Sequence, residues 1–137
     1  MLCAALHPKT ENVVPEMTLG QKQRLFMSLL PRLIDYIYAQ GYECTMGDGY
    51  RDPRSHGKQG SEGPYGRPQS AHKGRLAVDL NLFRGGVYLD DTEAHRPLGE
   101  YWKSLNSFCV WGGDFDYDGD GKGDDGNHYS MVHQEIK

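Results

Sequence analysis

The sequence predicts an α+β fold: a small antiparallel sheet packed against an N-terminal helix, with long glycine-rich loops between the elements. Three observations carry this expectation. An apolar stripe at four-residue steps runs from Leu25 to Ile37, a regularly alternating segment runs from Leu76 to Phe83, and 18 of the 137 residues are glycine. The first pattern has the period of a helix and the second that of a strand. Glycine at about twice its ordinary share of ~7% assigns much of the remainder to loops. The length suits one domain over 1–137, with a single core burying roughly 68% of the unfolded surface.

Residues 1–17 have no usable periodicity. Thr18 and Gln21 have the T-x-x-Q spacing of a capping box, so a helix starts there. Leu25, Leu29, Leu33 and Ile37, flanked by Phe26, Leu30 and Ile34, form its core face. Pro31 is expected to kink or split this helix, and Gly41 to end it. A short strand follows near Tyr42–Met46. Residues 52–70 are Gly/Pro-rich and aperiodic, and so long a loop in a small domain reads as the rim or lid of a site. In the next strand Leu76, Val78, Leu80 and Leu82 face the core, while Ala77, Asp79, Asn81 and Phe83 face the other way. Arg84-Gly85-Gly86 turns the chain into Val87–Leu89 as a hairpin. Pro97 opens a second helix marked by Leu98, Tyr101, Trp102 and Leu105. Cys109–Trp111 is a strand, Gly112–Asn127 an acidic glycine loop, and His128–Val132 a closing strand.

Composition excludes several classes of partner. The net charge of -4 argues against binding nucleic acid through its phosphates, which draws on clustered Lys and Arg. No apolar run approaches the ~20 residues that cross a bilayer, so no membrane insertion is expected. The opening MLCAALHPKTENVVPE has no signal-peptide pattern. Cys3, Cys44 and Cys109 are odd in number and lack C-x-x-C spacing, so they read as free thiols of a domain made in a reducing compartment.

Asp79 is the first sign of chemistry. A lone acid on so regular a strand reads either as an edge position touching water or as a functional group. His72 lies seven residues earlier, which on a straight strand is the opposite face, so the two meet only if the chain turns between them; Gly74 permits that. Asp125-Gly126-Asn127-His128 supplies a second His with an acid three residues before it. Two His and one Asp make a three-ligand zinc site with a fourth position for water, whose pKa such a site lowers to ~7. Asp125, outside the ligand set, could then accept the proton of that water. The other histidines have weaker readings. His133 faces away from His128 on a continuing strand, His56 contacts substrate or nothing, His95 takes a surface or capping role, and His7 is uninformative.

The composite of Ser70-x-His72-x4-Ala77-x-Asp79 with a later Asp125-x-x-His128 resembles the zinc peptidases that include D-alanyl-D-alanine carboxypeptidases and L-alanyl-D-glutamate endopeptidases. Trp111-Gly112-Gly113-Asp114-Phe115 and the Asp in the acid position are most similar to the L-alanyl-D-glutamate branch, which tailed phages use as endolysins. The resemblance covers roughly Gly49 to Met131. It implies that His72, Asp79 and His128 bind zinc, that Asp125 is general base and later proton donor to the leaving amine, and that Arg51 steadies a substrate carbonyl or carboxylate. Ser70 would orient the site from behind. One departure stands out: the family usually has Gly three residues after the first His, where this chain has Arg75.

The acidic loop carries a further expectation. Asp116-x-Asp118-x-Asp120-Gly121 matches positions 1, 3, 5 and 6 of a calcium loop, with Asp124 at position 9 and Asn127 in place of the bidentate Glu. Calcium bound there would order the approach to Asp125 and His128. Together these readings predict a monomeric zinc metallopeptidase, endolysin-like, hydrolysing the L-alanyl-D-glutamate bond of the peptidoglycan stem peptide. It would be made in the cytoplasm without a signal peptide and reach the wall at lysis. The alternatives are a D-alanyl-D-alanine carboxypeptidase or dipeptidase, and a non-catalytic calcium-stabilised wall-binding or virion-structural module.

Overall fold

The computed structural model describes residues 16–63 and 66–137; Cys3 and His7 lie outside them. Helix α1 spans Leu19–Ala39, and Thr18 and Gln21 close the expected capping box reciprocally. Pro31 does not split it. The ring sits on the exposed face, beside exposed Met27, so the backbone group it leaves without a helical partner is on the solvent side. The stripe of Phe26, Leu29, Leu30, Leu33 and Ile37 is buried as its spacing requires.

The strands are β1 (Glu43–Met46), β2 (Ala77–Arg84), β3 (Val87–Leu89), β4 (Cys109–Trp111) and β5 (His128–Met131). They pair antiparallel in the order β1-β2-β5-β4, with β3 also on β2. Strand β2 is the spine. One of its edges pairs β1, and the other pairs β5 over Ala77–Asp79 and β3 over Leu82–Arg84. Gly85 and Gly86, at φ 58° and 78°, make the hairpin turn between β2 and β3, a conformation that glycine adopts without strain. Asp79 is therefore on a central strand, and its edge reading is wrong.

One face of the sheet packs on α1 and on helix α3 (Arg96–Leu105). Val78, Leu80, Leu82, Tyr129 and Met131 meet Phe26, Leu33, Ile37, Leu98 and Trp102 there. Alternation then places Asp79, His128 and Ser130 together on the opposite face, since Asp79 pairs with His128 and Ala77 with Ser130. The core side and the chemical side of the sheet are set by the same period of two.

The described parts of the 52–70 stretch, 52–63 and 66–70, are more ordered than a bare loop. They include a one-turn helix α2 (Pro53–His56) capped by Asp52, and the Lys73 ammonium gathers the carbonyls of Lys58, Ser61 and Pro68. Among the described residues, no helix is long and apolar enough to cross a membrane. Cys44 and Cys109 are free thiols, and burial pushes both above their ordinary pKa, Cys109 to about 12.

Candidate metal centre

His72 sits on a 3₁₀ turn, Ala71–Gly74, capped by the Ser70 hydroxyl accepting the His72 N–H at 3.2 Å. The turn ends at Arg75, with φ 59° and ψ 34°. The reversal that returns His72 to β2 is thus made at Arg75, one residue beyond Gly74, which lacks a positive φ. A left-handed position is where glycine costs least. Arg75 occupies it with its guanidinium 4.2 Å over the Tyr50 ring.

Asp79 Oδ1 lies 3.3 Å from His72 Nε2 and 3.4 Å from His128 Nδ1. The three ligand atoms are within 4.8 Å of one another, and both imidazoles are buried. The far nitrogen of each ring is already engaged. His72 Nδ1 donates to the Gly49 carbonyl at 2.8 Å, which leaves Nε2 as a lone pair facing Asp79. His128 Nε2 stands 2.9 Å from Ser130 Oγ, and a proton donated there leaves Nδ1 as the second lone pair. Asp79 Oδ1 is itself buried and accepts no hydrogen bond. Three acceptor atoms converging without a proton between them is the condition a cation relieves, so the residues present fit a metal ion. Burial pushes the Asp79 carboxyl up; when the His128 and His72 rings carry protons towards it, their hydrogen bonds and charge outweigh burial and hold the group below the usual carboxylate range.

Asp125 stands beside this set, its Oδ2 3.9 Å from His128 Nδ1 and accepting the Tyr117 hydroxyl at 3.4 Å. Burial pushes its carboxyl above the ordinary value; His128 opposes the rise and the Asp79 charge adds to it. The turn that carries Asp125 and His128 is seated on the Trp111-Gly112-Gly113 segment. Trp111 Nε1 donates to the Gly126 carbonyl at 2.6 Å, and the Gly126 N–H donates to Thr92 Oγ1 at 3.3 Å. A Cβ on Gly112 would stand 2.0 Å from the Asp125 carbonyl and 2.7 Å from His128 Cβ. Only a bare backbone fits under that turn.

Arg51 faces the same cleft, of about 240 Å³, which also takes in Arg67, Ser70, Tyr117, Asp124 and Lys137. Its Nε and Nη2 donate to Asp48 Oδ2 at 3.2 and 3.1 Å, and its Nη1 to Ser70 Oγ at 3.4 Å. The 66–70 segment lines the cleft, so this part of the long loop is a rim. Three participants were missed in the sequence. Ser130 was legible as H-x-S on one strand face, Asp48 as an acid three residues before Arg51, and Tyr117 only from the tertiary arrangement.

Other expectations fall differently. Asp116, Asp118 and Asp120 do cluster, exposed, within 4.8 Å of one another. Asp124 is not among them: its carboxylate accepts the backbone N–H of Tyr117 and Asp118 and lines the cleft. His95 is not on the surface, and although it stands at the N-cap position of α3 its side chain does not cap the helix. It is buried, with Nδ1 2.7 Å from the Tyr129 hydroxyl. His56 is buried at the end of α2 and does not line the cleft. His133 forms a short bridge with Ile136 and takes no part in the triad. No family model and no curated protein matches this sequence.

Proposed function

We propose that the chain is a zinc-dependent peptidoglycan endopeptidase that hydrolyses the L-alanyl-D-glutamate bond of the stem peptide, as an endolysin does. One observation carries the reading: the buried His72 and His128 with the half-buried Asp79 open onto a cleft in which a separate carboxylate, Asp125, lies beside the ligands without joining them. Bound by these three residues, a zinc ion would polarise the scissile carbonyl and acidify a water to ~7.

Asp125 takes the proton of the attacking water. Burial has raised the proton affinity of its carboxyl, which suits a group that must accept a proton and then release it to the departing amine. Tyr117 orients that carboxylate through its hydroxyl. Arg51, held by Asp48 and Ser70, presents fixed positive charge to the oxygen on which negative charge develops. Ser70 serves twice, fixing the His72 turn and the Arg51 side chain.

The deciding experiment digests purified peptidoglycan with and without chelator and identifies the new termini by mass spectrometry. New L-Ala carboxyl and D-Glu amino ends support the proposal. Released D-Ala identifies a carboxypeptidase instead, and the absence of any chelator-sensitive product identifies a binding or virion-structural module. Asp125→Ala is expected to retain zinc and lose activity; an active variant removes Asp125 as the base.

A further inference from the structure

The cleft holds two arginines in different electrostatic states. Arg51 is already paired, its guanidinium 3.1 Å from the Asp48 carboxylate. Arg67 joins no ion pair among the described residues; its guanidinium carbon lies over the Tyr117 ring, 3.9 Å from the centroid. Lys137 reaches the same end of the cleft, its ammonium 4.4 Å from the Phe115 ring centroid and likewise in no ion pair among the described residues. A guanidinium held over an aromatic ring by cation–π attraction keeps N–H donors to spare, and a pair of them matches the two oxygens of a carboxylate.

The position of Arg67 fixes which part of a substrate it meets. Tyr117 touches Asp125 through its hydroxyl and Arg67 through its ring, so Arg67 lies on the Asp125 side of the cleft. Asp125 is the group that protonates the leaving amine, and in a stem peptide cut before D-Glu that nitrogen sits on the carbon bearing the D-Glu α-carboxylate. We propose that Arg67, supported by Lys137, is a specificity subsite for the free carboxylate adjacent to the scissile nitrogen. The subsite rests on the endopeptidase reading above, and it selects acidic stem peptides over those in which this carboxylate is a carboxamide.

The test uses the zinc-loaded Asp125→Asn protein, to prevent turnover, and two synthetic stem peptides that differ only in α-carboxylate against α-carboxamide at D-Glu. Calorimetric titration is expected to find the acid bound about fivefold tighter, the scale of a solvent-exposed charge pair, with the preference shrinking as salt rises. Adding Arg67→Ala should bring the ratio close to one, while Arg67→Lys should keep part of it. Arg67 is exposed, so its variants are expected to fold, and a melting curve checks this. Equal binding of the two peptides by the unsubstituted Arg67 protein, or a preference that survives Arg67→Ala, overturns the subsite. Cleavage by the native chain is assayed separately. Cleavage without carboxylate preference removes the subsite alone, and preference without chelator-sensitive cleavage removes the endopeptidase reading and with it the subsite, leaving Arg67 as a carboxylate-binding residue only.

Discussion

Two groups of three potential metal ligands lie in this chain, and they are built in opposite ways. His72, Asp79 and His128 come from three segments and are largely buried; each ring spends its far nitrogen on Gly49 or Ser130, and Asp79 Oδ1 between the rings accepts no hydrogen bond. Asp116, Asp118 and Asp120 come from one five-residue stretch and are exposed. Their carboxylates already accept backbone N–H groups of their own turns: Asp116 from Gly119, Asp120 and Gly121, Asp118 from Asp120, and Asp120 from Lys122. The loop satisfies its acids locally, whereas the triad leaves its acceptors converging on a gap. Ligand count alone does not make a site; what matters is whether the fold has left the ligands unsatisfied.

The largest effect expected from this contrast is on metal retention. Asp79→Ala should weaken zinc binding by more than ~100-fold, beyond the cost of losing an outer partner, and Asp118→Asn should change it by less than about twofold. Zinc content after dialysis against a calibrated chelator reads both, and similar losses in the two variants would erase the distinction. Ser130→Ala sharpens the point because it touches no ligand atom of the gap. Removing the hydroxyl beside His128 Nε2 should lower metal affinity by ~10–100-fold in a competition titration.

Acid should separate the buried half of the molecule from the exposed loop. Burial lowers the His95 pKa from its ordinary 6.5 to about 4, with the Asp91 charge opposing. Between those values the unfolded chain binds a proton that the folded chain refuses, so stability falls as pH drops from about 6.5 to about 4 and is unaffected by His95 above that window. The loss is on the order of 3 kcal/mol. Denaturant midpoints at pH 7 and pH 4.5 should differ less in His95→Asn than in the native chain; an equal difference in both would assign the acid sensitivity elsewhere.

Calcium should act weakly. With Asn127 at the last ligand position and Asp124 engaged elsewhere, titration into zinc-loaded protein should give a Kd no tighter than ~10⁻⁴ M. Micromolar binding would mean that the loop rearranges into a true ion cage. Smallest of all, Arg75→Gly should relieve a left-handed residue and lose a cation–π contact, for a net gain of a few tenths of a kcal/mol that a melting curve can resolve. A clear loss of stability would mean that the stack on Tyr50 outweighs the backbone strain.

The residues differ in how far they could be read in advance. The helix stripe, the alternating strand and the Gly85-Gly86 hairpin were legible because each is a pattern among neighbours. The seven-residue spacing of His72 and Asp79 was legible too, but not the means of closing it, because Arg75 is not a residue that announces a left-handed turn. Pro31 does not split the helix, because the burial of Phe26, Leu29, Leu30, Leu33 and Ile37 on both sides of it holds the two halves on one core. His95 misled because a histidine between Ala and Arg has no local sign that Tyr129, 34 residues away, will cover and bond it.

By itself the sequence determined the periods, the turns and the identity of the ligand-bearing residues, since these depend on side-chain chemistry and on neighbours along the chain. Only the tertiary structure decided that β2 is central, that Asp79 stands opposite His128, and that Gly49 and Ser130 occupy the far nitrogens of the two imidazoles. The reason is physical. A ligand's readiness to hold a cation depends on which other partners it has been denied, and those partners are chosen by strand pairing and burial between residues far apart in the chain.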